Sequence, residues 1–149
     1  MEKTGYEYVP LYGKYYYATD EGVVQEDANV SSIHDVARKH TANYYSDHSV
    51  AENNAKADDI FRQLRRFAAE NGGIVSFHDV WYGKSFYTIG AERICDGFAL
   101  WIYEQKFSPI PVLFATREAA KAAMDRFADQ ILWLLIEYEP MPKGWWDQE

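Results

Sequence analysis

Two stretches of the 149-residue chain make the same move. "NYYSDHSVAENNAKA" (43–57) and "PVLFATREAAKAA" (111–123) each run from strand-type residues, through an aromatic and a polar cap, into an Ala-rich helix. A chain of this length holds one domain, or two small halves sharing a core. A strand-to-helix junction used twice restricts it further. Neither helix can bury its apolar stripe alone, so both are expected on a common, mainly antiparallel sheet.

The helices are read from caps and stripes. Ser49 and Glu52 have the S-x-x-E spacing of a capping box, which predicts a helix from about 50 to 70. Its stripe is Ala57, Ile60, Phe61, Leu64, Phe67 and Ala68, and Asn71-Gly72-Gly73 stops it. Thr116 caps the second long helix, striped by Ala120, Met124, Phe127, Ile131, Leu134, Leu135 and Tyr138 and ended by Pro140 and Pro142. Strands are expected at "KYYYAT" (14–19), at "VV" after the turn Asp20-Glu21-Gly22, and at "IVSFHDVWY", "SFYTIG" and "FALWIYEQKF". Residues 25–43 read equally as an irregular strand or as a short helix behind a Ser cap, with Ile33, Val36, Ala37 and His40 at helical spacing.

Aligned by pattern, "KYYY" (14–17) matches "KSFY" (84–87). Ile60, Leu64, Phe67 and Ala68 match Phe127, Ile131, Leu134 and Leu135, and Ser49 matches Thr116. Tyr45 opposes Phe114 at a slightly longer offset, so the first half is expected to carry about two extra residues at 46–48. The expected fold is α+β: an internally duplicated hairpin- or meander-plus-helix unit, with two long amphipathic helices packed on a mainly antiparallel sheet. The chain is read as a single domain, with halves of about 1–72 and 73–140 and a short tail at 141–149. The alternative is that such junctions recur by chance in α+β chains.

The strand "KYYYATDEGVV", the aromatic "NYYSD", the helix end "LRRFAAENGG" and the second helix "VLFATREAAKAAMDRF" together resemble a diffuse group of small phage and prophage proteins of unassigned function. The chain departs from them in its extra residues at 46–48 and in the aromatic-rich "FALWIYEQKFSPIP". The resemblance implies a mobile-element accessory protein and brings no catalytic residues with it.

Residue chemistry points to no reaction. Of His34, His40, His48 and His78, only the first two approach metal-ligand spacing, and no second pair follows. Ser76, His78 and Asp79 would alternate across the strand expected there, which separates a triad. Gly83-Lys84-Ser85 lacks the earlier glycine and the following helix of a phosphate loop. Of the paired carboxylates Asp58-Asp59, Glu137 with Glu139, and Asp125 with Asp129, the first and last read as solvated helix faces. Cys95 is the only cysteine, so no intramolecular disulfide forms and a reducing cytoplasm is expected. The N-terminus lacks a secretion pattern, and the longest apolar run, "ILWLLI", is far shorter than the ~20 residues of a membrane span. No metal or cofactor is expected, and the chain is read as not an enzyme.

What remains is surface. A net charge of −8, spread over both halves, repels phosphate and argues against non-specific nucleic-acid binding. Aromatics make up 17% of residues. Trp101, Trp133 and Phe114 are assigned mostly to the core. Trp81, Tyr82, Trp145 and Trp146 are candidate partner contacts, although the tail pair reads equally as a cover for the sheet. Arg62, Arg65 and Arg66 form the one basic cluster, with Asp58 placed to pair with Arg62; it reads as an exposed helix face with an internal ion pair or, as a candidate partner contact, as a docking site for an acidic partner. The expectation is a phage-derived binding protein for a host macromolecule, such as an anti-CRISPR-like inhibitor of a nucleic-acid-binding defence nuclease. The alternative is a small-molecule or nucleotide-sequestering protein. A homodimer through a sheet edge or the aromatic surface is also possible.

Overall fold

The computed structural model describes residues 3–142, so Trp145 and Trp146 lie outside the described residues. It divides into two compact units: residues 3–58 with 139–142, and Asp59–Tyr138. The chain is α+β, with two separate two-stranded antiparallel sheets, one in each unit. Among the described residues the single shared sheet expected from the sequence is not formed.

In the first unit, β1 (Lys14–Ala18) and β2 (Val24–Ala28) form a hairpin whose turn includes Gly22 at φ +79°. Tyr45 adds a bridge to the other edge of β1, exchanging backbone bonds with Tyr16 at 2.7 and 2.8 Å. The Asn43 amide imitates a further strand residue, giving and accepting 2.8 Å bonds with Ala18. Residues 25–43 therefore supply both β2 and a short helix, α1 (Ile33–His40), which starts in a capping box between Ser32 and Asp35.

α2 (His48–Glu70) begins two residues before the expected start. Its cap is Asp47, whose Oδ1 accepts from Val50 N at 3.0 Å, and not Ser49. The correction matters for the repeat. With Asp47 as the cap, cap and bridging aromatic stand at one offset from Thr116 and Phe114, and no extra residues are needed at 46–48. Val50, Ala51 and Asn54 are then buried at the positions taken by Ala119, Ala120 and Ala123 in the other junction.

The second unit holds the rest of α2. Next comes α3 (Phe77–Trp81), where a strand was expected: Ser76 Oγ accepts from Asp79 N (3.1 Å) and Asp79 Oδ2 accepts from Ser76 N (3.2 Å). β3 (Tyr87–Ile94) and β4 (Gly97–Glu104) form a long hairpin, and Phe114 bridges the free edge of β3 at Tyr87. Thr116 caps the next helix as expected, accepting from Ala119 N at 3.1 Å. That helix is not one long rod. α4 (Arg117–Arg126) stops at Phe127 (φ −111°, ψ 26°), α5 (Ala128–Leu132) follows, and a π-helical turn (Trp133–Glu137) closes with Tyr138 N donating to Trp133 O. Only α2 is long and unbroken among the described residues. Ile89, Phe114, Leu64 and Ile131 are fully buried in this unit, and Phe67 meets Phe127 edge to face. Trp101, assigned to the core, is instead 52% exposed on β4.

Candidate functional site

α3 is too short to bury a face, and its composition makes that visible. Val80 packs on the core cluster of Val75, Phe86 and Leu113. The other large side chains point out: Phe77 is 62% exposed, Trp81 86% and Tyr82 81%. Gly83 ends the helix at φ +84°, a conformation that favours glycine. Behind this ridge, Phe107 stacks on buried Phe86 at 4.9 Å and touches Phe77 at 5.9 Å, so an aromatic chain runs from core to surface. His78 leans on Tyr82 at 4.8 Å. Burying one such ring would contribute about 1.5–3 kcal/mol.

Trp81 and Tyr82 thus sit side by side at the end of a helix. Arg62, Arg65 and Arg66 are all exposed on α2. Arg66 pairs with Glu70 at 2.9 Å, whereas Asp58 makes no ion pair with Arg62 among the described residues. No ring–guanidinium contact joins the three arginines to Trp81 or Tyr82 among those residues either.

The reactive sets resolve into structural roles. Ser76 and Asp79 are the reciprocal cap of α3, so both are committed to backbone, and the strand argument against their triad is replaced by this one. Asp125 pairs with Lys121 on an exposed face. Cys95 is exposed in the β3–β4 turn. Among the described residues no group of three or more His, Cys, Asp or Glu side chains is placed to hold a metal ion.

Two features of the first unit went unread in the sequence. One is a buried polar network. Tyr15, fully buried, donates to Asp35 Oδ1 at 2.5 Å and accepts from Arg38 Nη1 at 2.6 Å. Asp35 also accepts from Val30 N (3.0 Å) and Ser32 N (2.9 Å). Arg38 reaches Asp27 at 2.7 Å and covers the Tyr17 ring at 3.6 Å. Burial, then the bond to Asp35, push the Tyr15 phenol up to about 12. The same bond holds the Asp35 carboxyl well below the usual carboxylate range, and the backbone N–H groups add to it. A neutral phenol locked between a fixed anion and a fixed cation is not poised to move a proton. The only signal for this set was the Ser32-x-x-Asp35 spacing.

The other feature is a cavity of about 510 Å³ lined by Lys3, Glu7, Tyr8, Pro10, Lys14 and Ser46 among others. Glu7, in its lining, accepts from Ser46 Oγ at 2.6 Å and from the backbone N–H of Thr4 and Gly5. These bonds, that from Ser46 first, pull its carboxyl down to about 2. No known protein family, curated protein or solved structure matches the chain.

Proposed function

We propose that the chain is a non-enzymatic binding protein of phage or mobile-element origin that engages a host protein in the host cytoplasm. The observation that carries this reading is the exposed ridge of Phe77, Trp81 and Tyr82 on α3. Aromatics of this kind are enriched at protein interfaces and dominate their energetics. The charge of −8 supports a target with a basic channel, such as a defence nuclease, because opposite fields accelerate encounter and suppress wrong partners. The recurring bridge–cap–helix junction is read as the remnant of a duplicated unit that scaffolds this surface.

The test is capture from nuclease-treated bacterial lysate with wild type and with a Trp81→Ala/Tyr82→Ala variant. One stoichiometric, salt-sensitive protein partner is expected with wild type and should be lost with the variant. Equal recovery with the variant would overturn the assignment to α3. A second reading rests on the first unit's cavity, whose volume lies in the range of small-ligand sites and which carries Lys3 and Lys14. It predicts a thermal shift with an anionic small molecule such as a nucleotide, and no shift across a nucleotide panel would remove it.

A further inference from the structure

Where β4 ends, the chain turns back over its own hairpin. Gln105 takes φ +57°, and Thr88 Oγ1 then donates to Lys106 O at 2.5 Å. Residues 106–109 therefore cross toward β3 and do not extend β4. Ser108 Oγ fastens the crossing by donating to Ile89 O at 2.7 Å. Gly90 makes room beside it. Tyr103 leans over this glycine, so close that a Cβ there would lie 2.2 Å from its Cε2, and its phenol donates to Glu92 Oε1 at 2.8 Å. On the helical side, the π-helical turn holds Leu135 half-buried and Ile136 exposed. Between these elements lies a groove of about 320 Å³, walled by Gly90, Ala91, Phe98, Phe107, Leu135 and Ile136. All of it belongs to the second unit.

We propose that this groove binds a small monocarboxylate with an apolar body. Its lining carries one charged side chain, Lys106. The Lys106 ammonium lies 4.3 Å from the centroid of the Tyr103 ring, and among the described residues it pairs with no carboxylate. A neighbouring hollow of about 290 Å³ shares Phe98 and Ile136 but has the opposite character. Asp129 and Glu137 line it and, among the described residues, no cation does. An anion is therefore matched in the first groove and repelled in the second. Phe98, Phe107 and Ile136 are exposed, so an apolar body laid on them removes their surface from water. A neutral ligand would cover the ammonium without a partner, and a cation would oppose it. The volume is at the low end for small-ligand sites, which suits a short acyl or single-ring acid better than a peptide. The groove touches the α3 ridge at Phe107, but neither Trp81 nor Tyr82 lines it. It stands or falls separately from the proposed function.

The experiment is an amide NMR titration of the full chain with octanoate and with phenylpropanoate, and with octylammonium as the charge-reversed control. At least one carboxylate should bind with a Kd of about 1 mM or tighter, in keeping with so few heavy atoms. The signals of Gly90, Ala91 and Ser108 should move, and the tighter of the two acids tells an acyl body from an aryl one. Octylammonium should bind at least about fivefold more weakly. Lys106→Met keeps the apolar stem without the charge, so it should weaken the carboxylates about threefold or more and erase their advantage over octylammonium. Lys106→Arg should retain that advantage. Ile136→Glu sets a carboxylate in the groove and should abolish binding of both acids. Both replaced side chains are exposed, and melting curves check that each variant is folded. No binding of either acid at about 10 mM, far above the expected Kd, overturns the proposal. So does octylammonium binding as tightly as the acids, wild-type affinity in Lys106→Met or Ile136→Glu, or signal changes confined to another surface.

Discussion

Removing the Asp35 carboxylate tests whether the buried network holds the first unit together. Asp35 is 1% exposed and is the acceptor for Tyr15 OH, Val30 N and Ser32 N. Asp35→Ala strips all three at once. The Tyr15 hydroxyl, fully buried, is left with no acceptor at a cost of about 1–3 kcal/mol. Ser32 still caps α1 by accepting from the backbone N–H of residue 35, but the loss of the reciprocal bond from Ser32 N and of the bond from Val30 N adds roughly 1 kcal/mol. Arg38 keeps Asp27 and Tyr15, so its charge is not orphaned. The expected loss is therefore about 2–4 kcal/mol, on the low side of the ~3–5 of a buried pair broken with nothing left for the survivor. Against a typical total of about 5–15 kcal/mol, this is a large fraction.

The sharper reading comes from a cycle with Tyr15→Phe. Alone, that change keeps the ring stacked on Tyr44 at 4.1 Å but removes one bond from Asp35 and one from Arg38, for about 1–2 kcal/mol. In the Asp35→Ala background it deletes the orphaned hydroxyl and should be neutral or stabilising. Urea unfolding, read by amide exchange at β1 and α1, measures all four corners. A loss under ~1 kcal/mol for Asp35→Ala, or an equal loss from Tyr15→Phe in both backgrounds, would refute the reasoning. Acid gives a second reading of the same group. A depressed carboxyl contributes its full stability above the unfolded value of about 4 and loses it as pH falls toward the folded value. Wild type should weaken below about pH 4, and Asp35→Asn should show a flatter acid limb. Glu7, held at about 2, adds a parallel loss to both proteins, so the difference between the curves is the measurement.

The cap assignment predicts that Asp47→Ala lowers stability by about 1 kcal/mol while Ser49→Ala changes it little, a comparison readable by thermal melting. Gly90→Ala should be destabilising by about 1–3 kcal/mol, because a Cβ there would lie 2.2 Å from Tyr103 Cε2 and force the ring off its bond to Glu92. The shift would show in the Tyr103 ring resonances. Trp81→Ala/Tyr82→Ala should leave the melting temperature nearly unchanged, since neither side chain is in the core; a fall of many degrees would place them in the packing after all.

Local chemistry made part of this legible. Lys14–Ala18, the β3–β4 hairpin and the Thr116 cap all follow from residue types whose preferences the tertiary structure leaves alone. Failures arose where two local signals competed. Asp47 and Ser49 are both good caps, and the S-x-x-E spacing favours Ser49. The bridge from Tyr45 to Tyr16 fixes the chain two residues before Asp47, and that long-range constraint selects Asp47 as the cap. "IVSFHDVWY" is rich in β-formers, yet Ser76-x-x-Asp79 closes a capping box within it and the helix wins. The stripe from Ala120 to Leu135 predicted one helix. Buried positions keep helical spacing through the break at Phe127 and into the π-helical turn, so the pattern alone could not locate either irregularity.

The aromatic ridge was legible as composition and illegible as geometry, and α1 explains why. Its sequence reads equally as an irregular strand or as a short helix with Ile33, Val36, Ala37 and His40 at helical spacing, a pattern that would turn the aliphatic residues inward. In the structure it is turned over: Asp35 is buried and Ile33 is 80% exposed. A hydrophobicity stripe assumes that burial follows apolarity, and here a fully bonded carboxylate outcompetes two aliphatic side chains for the inside. The consequence extends beyond α1. Once a buried ion network sets which face of a helix turns inward, the apolar residues left outside owe nothing to the core. Their exposure then constrains function more than stability. The same logic applies to α3, where a reciprocal cap fixes the helix and Val80 alone satisfies the core. Trp81 and Tyr82, read from the sequence as partner contacts, and Phe77, read there as part of a strand, are left outside by that cap, and only the cap, not the pattern of apolar residues, shows how they come to lie together.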